Sequence, residues 1–436
     1  MGAAGRARRY AQHDGAPPTW YEASARTNPT WPALDGDRRT DVCVIGGGYT
    51  GVSCALHLAE RGFSTLLLEA RRVGNGASGR NGGQLGSGHR RDQLTLEREL
   101  GEERAQLLWL LAEEAKALVR ALIARHGIDC DLKPGIAIAA HRPRHARTLV
   151  REAEHLRSRY GYDEIDVLDR AALRAEVDTA DFWGGLMDRG AGHLHPLDYA
   201  LGLARVAAEA GVDIREATPV TGLASGAPCM VRAGPHTVTA DAVVLACNGY
   251  LDALDPGMGG RVMPINNFIL ATEPLGEERA QALIPNDVAV VDTRFVVNYF
   301  RLSGDGRLLF GGGETTSSRL PAEPGPLAHR CMLRIFPQLA DVRIDHAWGG
   351  TLAITRSRMP SIGRLEGGLY YAQGYSGHGV ALATLGGALI AEAISGTLER
   401  FDVFARLPQP SFPGGTFLRW PTMALALAYG ALRDRL

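Results

Sequence analysis

The sequence predicts an α/β (α+β) protein in which a Rossmann-type dinucleotide-binding domain is interleaved with an antiparallel-sheet domain. Residues 40–84 have the order strand, glycine turn, helix and strand, which is that of a βαβ unit. Residues 369–395 repeat a strand, a glycine turn and a helix, so the chain returns to the same sheet. Residues 260–340 between them have the pattern of antiparallel strands. A chain of 436 residues is long enough for two domains.

Composition excludes several other classes of protein. A net charge of −1 gives no reason to expect binding to nucleic acid or to an acidic membrane surface. The six cysteines form no CxxC pair and no metal-ligand spacing, so we expect no metal site and reduced thiols in a cytoplasmic protein. No signal peptide is expected, because no apolar stretch follows the basic N-terminus. Residues 423–432 are too few for a membrane span, which needs about 20 residues.

The first βαβ unit can be divided into its elements. Residues 42–45 are apolar and β-branched, as in a buried parallel strand. Residues 53–61 have helical patterning, and residues 64–68 form a second apolar strand that ends in Glu69. The acid follows the glycines by about 20 residues, as a dinucleotide fingerprint requires.

Gly46, Gly48 and Gly51 have the G-x-G-x-x-G spacing of that fingerprint. Gly46 permits the tight turn, Gly48 lets a pyrophosphate approach the backbone, and Gly51 lets the helix pack close to the strand. The helix N-terminus offers unpaired N–H groups to the phosphates, and Glu69 can accept hydrogen bonds from ribose hydroxyls. The fingerprint alone does not separate NAD from FAD.

A second glycine-rich segment follows at once. Arg71 and Arg72 lead into residues 74–84, which are rich in glycine and in hydrogen-bond donors. This segment could open a helix toward the same pyrophosphate or toward an isoalloxazine ring. The alternative is a mobile surface turn, which an Arg-Asn-Gly-Gly cluster directly after a Rossmann acid does not favour.

The remaining elements follow in order. Residues 94–125 have an amphipathic pattern that predicts one long helix ending at Gly127. The other predicted elements are a strand at 135–140, helices at 143–160, 170–177 and 197–210, a strand at 212–217 whose edge continues through 218–220, parallel strands at 238–247 and 369–372, and a helix that ends near 395.

Two groups of polar residues are candidates for a site. Residues 295–302 alternate, so Tyr299 and Arg301 share one strand face and could orient a substrate; the alternative is ordinary sheet surface. His193 and His195 have the appearance of a metal pair, but no acidic or sulfur partner stands at ligand spacing. We therefore interpret the two histidines as structural or pocket-lining.

These features together resemble the flavin amine oxidases of the D-amino-acid-oxidase superfamily, and most closely the γ-glutamylputrescine oxidase subgroup. The likeness covers nearly the whole chain. The motifs that carry it are VIGGGYTG at 44–51, Glu69, ASGRNGGQ at 77–84, GHLHPLDY at 192–199, RMPSIG at 358–363, GYSGHGVALAT at 374–384, an arm with Trp20 and Tyr21, and a tail with Arg419, Trp420 and Pro421.

The resemblance implies an FAD-binding Rossmann-type domain interleaved with an antiparallel-sheet substrate domain. The expected division is 1–39 as an N-terminal arm, 40–95, 186–260 and 346–396 as the three parts of the FAD-binding domain, 96–185 as a helical and substrate-domain segment, 261–345 as the antiparallel substrate domain and 397–436 as a C-terminal tail.

The resemblance also implies the cofactor-binding residues. The ADP half of FAD is expected to meet Gly46, Gly48, Tyr49, Thr50, Gly51, Glu69, Ala70 and Arg71, and its adenine side Val220, Ala246 and Asn248. The pyrophosphate and the flavin are expected to meet Ser78, Gly79, Arg80, Asn81, Gly82, Gly83 and Gln84. The flavin pyrimidine oxygen is expected to meet Gly377, His378, Gly379 and Val380. The backbone N–H groups of the last would stabilise charge on the reduced flavin. His378 could instead be a packing residue at a helix N-terminus.

Two departures from the superfamily bear on the cofactor and the substrate. Covalently flavinylated sarcosine oxidases have a Cys where this chain has residues 349–351, Gly-Gly-Thr, so we expect non-covalent FAD. Those enzymes also carry a carboxylate-binding Lys at the position of Ala381. The absence of this lysine makes a small α-amino acid a less favoured substrate. We expect a longer amine whose anionic end reaches Arg301.

The implied reaction is transfer of hydride from the carbon next to a neutral amine to the flavin, followed by hydrolysis of the imine to aldehyde and ammonia. The acceptor would be O₂, giving H₂O₂, or another acceptor. Three hypotheses remain: an oxidase of γ-glutamylputrescine or a similar amine, a dehydrogenase of another N-substituted amino acid with a different acceptor, and a non-catalytic flavin-binding subunit. The sequence leaves the oligomeric state open.

Overall fold

The computed structural model describes most of the chain. The described residues are 18–251, 254–315, 321, 323–416, 418, 421, 422, 424, 425, 429 and 430. Residues 1–17 of the predicted arm, and Arg419 and Trp420 of the predicted tail motif, lie outside them.

Within the described residues the strands form two sheets. In chain order the strands are β1 (Arg38–Ile45), β2 (Thr65–Leu68), β3 (Gln84–Leu85), β4 (Lys133–Ala139), β5 (Ile165–Leu168), β6 (Gly185–His193), β7 (Asp213–Arg215), β8 (Val220–Ala224), β9 (Cys229–Ala233), β10 (His236–Leu245), β11 (Val262–Thr272), β12 (Ala289–Asp292), β13 (Tyr299–Leu302), β14 (Leu308–Thr315), β15 (Ile344–Thr355), β16 (Ser361–Leu365) and β17 (Leu369–Gln373).

Helices pack on both sheets. In chain order they are α1 (Trp20–Ser24), α2 (Tyr49–Ala59), α3 (Gln93–Leu100), α4 (Glu102–His126), α5 (Pro143–Tyr160), α6 (Arg170–Glu176), α7 (Pro196–Glu209), α8 (Pro256–Gly259), α9 (Glu277–Leu283), α10 (Gly325–Ile335), α11 (Gly379–Ile394) and α12 (Glu399–Ala405).

The first sheet has the strand order β16-β17-β10-β1-β2-β7, and β8 and β9 extend it from β10. The run β17-β10-β1-β2-β7 is parallel, and its carboxyl ends are in register, because Ile45 stands opposite both Leu68 and Leu245 and Leu245 stands opposite Tyr371. Ligands of such sheets bind in the crevice outside these carboxyl ends. The predicted glycine turn, Glu69 and the second glycine turn therefore meet at one edge.

The second sheet has the order β15-β11-β14-β13-β12-β4-β6-β3, with β5 beside β6. Its pairs are antiparallel except β12 with β4. Phe268, Phe300 and Phe310 lie in a core on one side of it, where α10 packs. Ile269 and Leu309 join the core on the other side, which is shared with α2 and α11. The predicted mixed fold is thus confirmed.

Helices α2 and α11 cross at very short distance. A Cβ atom on Gly387 would lie 2.4 Å from the Thr50 carbonyl oxygen and 2.6 Å from the Cys54 nitrogen. The hydroxyls of Thr50 and Tyr375 are 2.6 Å apart at the same level. Small residues in α11 therefore allow the two helix N-termini to lie beside each other.

Two predicted elements are wrong in detail. The single helix predicted over 94–125 is two helices, because Gly101 has φ +86° and both ends α3 and begins α4. Residues 218–220 do not continue the edge of β7. The chain turns at Ala217, where φ is +48°, and Val220 opens β8, which pairs with β9 instead.

The described part of the N-terminal arm packs against the rest of the protein. Thr19 caps α1 by accepting from the Glu22 amide while Glu22 accepts from the Thr19 amide. Tyr21 is fully buried, and its ring centroid is 5.2 Å from that of Trp348 and 5.0 Å from that of His195. The arm is therefore part of the packing around the carboxyl edge of the first sheet.

The division into seven segments stays a prediction. Strands β6 and β15 belong to the second sheet, whereas the predicted boundaries at 186 and 346 fall inside them. We propose boundaries that leave both strands whole. Of the helices in the described part of the chain, no single one has the length and apolar character to cross a membrane; only α11 and α12 taken together meet that test, with a bend of 120° between them.

Candidate active site

The fingerprint glycines form a turn with no room for side chains. Gly46 has φ +114°, and a Cβ atom on it would lie 2.8 Å from the Ala246 carbonyl oxygen. A Cβ on Gly51 would lie 1.9 Å from the Gly46 carbonyl oxygen, and one on Gly48 would lie 2.9 Å from Ser78 Oγ. Gly48 precedes helix α2 and has no side chain to cap it, and the Tyr49 amide donates instead to Ser78 Oγ at 3.0 Å. The positive dipole end of the helix faces the crevice.

Glu69 stands at the carboxyl end of β2, beside this turn. Its Oε2 accepts from the Gly47 amide at 2.7 Å and its Oε1 from the Arg71 amide at 2.9 Å. Burial raises the pKa of the Glu69 carboxyl, and the two amide donors oppose that shift. Ala70, the next residue, is exposed. The carboxylate is held at the position where a fingerprint acid meets a ribose.

The second glycine segment contains a short 3-10 helix, Ala77–Gly79, and is held by hydrogen bonds, which favours the predicted helix start over a surface turn. Ser78 Oγ accepts from the Tyr49 amide at 3.0 Å, which ties the loop to the start of α2. The Asn81 side chain donates to the Ala77 and Ser78 carbonyls and accepts from the Gly83 amide. Asn81 therefore sets the shape of the loop from within.

Arg80 is a buried member of this loop. Its guanidinium donates to the Asn75 carbonyl at 2.9 Å and pairs with Glu22 of α1 at 3.2 Å. Its Nη1 is buried and has no partner among the described residues. Trp348 donates to the Arg80 carbonyl at 3.2 Å. The sequence showed no signal for the Glu22 contact, because the arm and the loop are far apart in the chain.

Gly82 and Gly83 pack directly under strand β13. A Cβ on Gly82 would lie 2.7 Å from the Tyr299 ring, and one on Gly83, where φ is +76°, would lie 2.0 Å from the Leu194 carbonyl oxygen. The Tyr299 hydroxyl donates to Asn267 Oδ1 at 2.6 Å, and burial raises the pKa of Tyr299. Tyr299 and Arg301 share the face above the loop, as predicted.

Arg301 has a different environment from the one expected. Its guanidinium donates to the carbonyls of Gly82 at 2.9 Å, Leu302 at 3.1 Å and Leu194 at 3.0 Å, and the residue is 2% exposed. All three guanidinium nitrogens are thereby engaged with the backbone. This geometry does not favour the expected contact with a substrate anion, and we propose that Arg301 positions the loop instead.

The adenine-side candidates lie at the end of β10. Ala246 is packed between Gly46 and Gly51, and Asn248 has φ +48° and accepts from the Gly374 amide at 2.9 Å through its side chain. Val220, at the start of β8, packs against the core under the sheet. The end of β10 therefore contacts both glycine turns, through Ala246 at the first and Asn248 at the second. Gln84 lies away from this end and donates to the Val290 carbonyl.

The second helix start also lacks a side-chain cap. Helix α11 begins after His378, whose amide donates to the Tyr375 carbonyl at 3.0 Å. Gly377 has φ +96°, while Val380 is buried in the helix. Burial, aided by Arg90, lowers the pKa of His378 to about 3, so its imidazole is neutral near pH 7. Its Nδ1 has no partner in the described part of the chain.

The two other histidines, interpreted from the sequence as structural or pocket-lining, make hydrogen-bond contacts within the protein. His195 caps α7 by accepting from the Asp198 amide at 3.1 Å and contacts Ser24 Oγ at 3.1 Å. His193 Nε2 lies 2.7 Å from the Asp287 carbonyl oxygen. Burial lowers the pKa of both imidazoles to about 3.

These observations fit a bound dinucleotide cofactor. The glycine turn keeps side chains away from the path of a pyrophosphate, and the N-termini of α2 and α11, whose N-cap residues make no capping hydrogen bond, face one crevice. Arg80 Nη1 and His378 Nδ1 are buried and have no hydrogen-bond partner among the described residues. We propose that the predicted groups hold FAD, apart from Gln84, whose side chain donates to the Val290 carbonyl.

Comparison with known proteins agrees with this geometry. The family model described as DAO, FAD dependent oxidoreductase, matches residues 41–393. The chain is 43% identical over 419 residues to the γ-glutamylputrescine oxidoreductase of Escherichia coli, covering 96% of this chain and 98% of that protein. It is 41% identical over 418 residues to a probable oxidoreductase OrdL of Rhizobium meliloti, covering 96% and 97%.

Solved structures share the fold. The glycine oxidase of Geobacillus kaustophilus superposes with a TM-score of 0.69 at 24% identity, covering 85% of this chain and 100% of that one. The L-amino acid deaminase of Proteus vulgaris superposes with a TM-score of 0.70 at 17% identity, covering 87% and 100%. At these identities the likeness concerns the fold alone.

Proposed function

The chain belongs to the DAO family of FAD-dependent oxidoreductases, and from this premise we propose that it oxidises γ-glutamylputrescine or a similar amine with O₂ as acceptor. When bound, FAD supplies the two-electron acceptor: the C–N bond becomes an imine, which water hydrolyses to aldehyde and ammonia, and O₂ is reduced to H₂O₂. The similarity over nearly the full length of the γ-glutamylputrescine oxidoreductase supports this substrate class.

One observation supports a substrate whose charged end is remote from the reacting carbon. Ala381 is 5% exposed in the first turn of α11, next to the predicted flavin-facing residues. The helix therefore places no cation where the related sarcosine oxidases use a lysine. The groups that this chain would place near the reacting amine are a neutral His378 and the Tyr299 phenol, which is fixed by Asn267.

We expect γ-glutamylputrescine to bleach the flavin of the purified holoprotein under anaerobic conditions. Admission of air should restore the yellow colour and release one H₂O₂ per amine oxidised. Bleaching without peroxide would indicate a dehydrogenase with another acceptor, acting on an N-substituted amino acid or an amine. A flavin that no amine bleaches would indicate a non-catalytic flavin-binding subunit. A panel of amines and N-methyl amino acids, read by absorbance, distinguishes the three.

The flavin is expected to leave the protein on denaturation. Residues 349–351 supply no cysteine, and a Cβ at Gly350 would already lie 3.3 Å from Arg80 Cβ, which leaves little space for a linking side chain. Acid precipitation should therefore give a colourless pellet and a yellow supernatant, with the FAD mass recovered intact. A yellow pellet would contradict non-covalent binding.

A further inference from the structure

A β-bulge in β14 places Glu314 on the sheet face that carries Asn267, beside the predicted flavin site. Strand β14 pairs Gly311 with Ile269 and Glu314 with Asn267, so Gly312 and Gly313 stand opposite a single residue of β11. Directly paired residues of an antiparallel ladder point to the same face. Glu314 therefore shares a face with Asn267, which binds the Tyr299 hydroxyl. Without the bulge Glu314 would point to the opposite face.

Two arginines from distant segments face this carboxylate. Arg358 lies in the turn between β15 and β16, where its φ is +62°, and Arg90 lies in the loop between β3 and α3. Burial raises the pKa of Glu314 to about 7, and the Arg358 and Arg90 guanidinium groups oppose that shift. Burial lowers the pKa of Arg358, with a further contribution from Arg90. The pKa of Glu314 thus responds to both guanidinium groups, that of Arg358 to Arg90 and Glu314, and that of Arg90 to Glu314 and Asp292.

The three charges are not neutralised by one another. In the part of the chain that the structure describes, none of the three side chains makes an ion pair or a side-chain hydrogen bond. Arg90 is exposed, whereas Glu314 and Arg358 are half-buried. Charged side chains that are partly withdrawn from water and lack partners favour a ligand that pairs with them.

We propose that Arg90, Arg358 and Glu314 bind the zwitterionic α-amino acid group of the substrate. The two guanidinium groups would hold its carboxylate and the Glu314 carboxylate its ammonium. The inference rests on the proposed function, because a γ-glutamyl amide keeps both charged groups free at the end remote from the reacting amine. Arginine rarely adopts a positive φ, and a residue held there, as Arg358 is, often marks a functional constraint.

Three amides of putrescine test the carboxylate and the ammonium of the amino acid end separately. γ-Glutamylputrescine has both groups, N-glutarylputrescine lacks the ammonium, and N-butanoylputrescine lacks both. For Arg358→Met we expect kcat/KM to fall roughly ten- to a hundred-fold on the first two and to stay within about three-fold on the third. Arg356→Met is the matched control, because that exposed side chain contacts only the Ser411 carbonyl among described groups. It should change none of the three.

Glu314→Gln should separate the substrates in the opposite sense. The loss should be roughly ten-fold or more on γ-glutamylputrescine, whereas N-glutarylputrescine should be oxidised at least as well as by the parent protein, because a carboxylate near its own carboxylate is removed. A merely structural role for Glu314 cannot improve one substrate while impairing another. Equal losses on all three amides would overturn the inference, and would be expected if Glu314 held the reacting amine.

Binding without turnover provides an independent measurement. γ-Glutamylbutylamide has the charged end and no reacting amine, and its dissociation constant can be titrated through the flavin absorbance of the holoprotein. Arg90→Met and Arg358→Met should each weaken it roughly ten-fold or more, and Arg356→Met should not. If Arg358→Met does not fold, Arg90→Met provides the test, because Arg90 lies in a loop. Unchanged affinity in both would overturn the inference. If no amine bleaches the parent protein, the proposed function fails, and this titration still decides whether the three residues bind an amino acid group.

Discussion

Replacing Gly51 with alanine is expected to give a folded protein without bound flavin. A single Cβ at this position would lie 1.9 Å from the Gly46 carbonyl oxygen and 3.3 Å from Ala246 Cβ, so either α2 or the turn must move. The contact is with backbone, which cannot rotate away as a side chain can. Displacing α2 removes its N–H groups and its dipole end from the pyrophosphate position.

The measurement is flavin per polypeptide after purification, with circular dichroism to report folding. Gly222→Ala is the matched control, since a Cβ there would meet only Arg232 Cβ at an ordinary 3.6 Å. The parent protein and the control should both be yellow. A fully flavinated Gly51→Ala protein would show that the turn does not bind the cofactor.

Gly48 allows a finer test of the same turn. A Cβ on Gly48 would approach only the Ser78 hydroxyl, at 2.9 Å, and that hydroxyl can shift. Gly48→Ala is therefore expected to fold normally, and any loss of flavin would report contact between the pyrophosphate and the backbone at this residue. The contacts within the protein alone therefore assign the larger structural effect to Gly51.

The parallel sheet and its crevice could be predicted because their determinants are local. Apolar β-branched runs, a glycine turn and a terminal acid lie within one βαβ unit, and each has a direct physical meaning. The break at Gly101 was missed because the amphipathic pattern continues across it, and only the positive φ shows that one helix ends and another begins there.

The candidate site was predicted less well because its contacts join distant parts of the chain. Alternation placed Arg301 on the correct face, yet its acceptors at Gly82 and Leu194 are 219 and 107 positions away. Strand alternation also cannot reveal the bulge at Gly312 and Gly313 that sets the direction of Glu314. The only sequence signal was a run of three glycines before an acid, which typically indicates an irregular strand.

Arg301→Met is expected to lower both stability and flavin content. Methionine preserves much of the buried volume but leaves the Gly82 and Leu194 carbonyls without their donor, and each buried acceptor left unsatisfied costs about 1–3 kcal/mol. The loop that carries Gly82 and Gly83 would then be free to move away from Tyr299. Arg301→Lys keeps the charge, but its compact ammonium cannot reach the three carbonyls that the planar guanidinium reaches. It should therefore recover only part of the lost stability and flavin content.

Steady-state kinetics with two amines distinguish a positioning role from direct contact with the substrate. If Arg301 acts through the loop, Arg301→Met should reduce kcat/KM for γ-glutamylputrescine and N-butanoylputrescine by the same factor, and the thermal unfolding midpoint of the holoprotein should fall in parallel with flavin occupancy. A loss confined to γ-glutamylputrescine, with flavin content and unfolding midpoint unchanged, would instead restore the assignment of Arg301 to the anionic end of the substrate. The two outcomes cannot coincide, because only the first requires the backbone around Gly82 to lose its anchor.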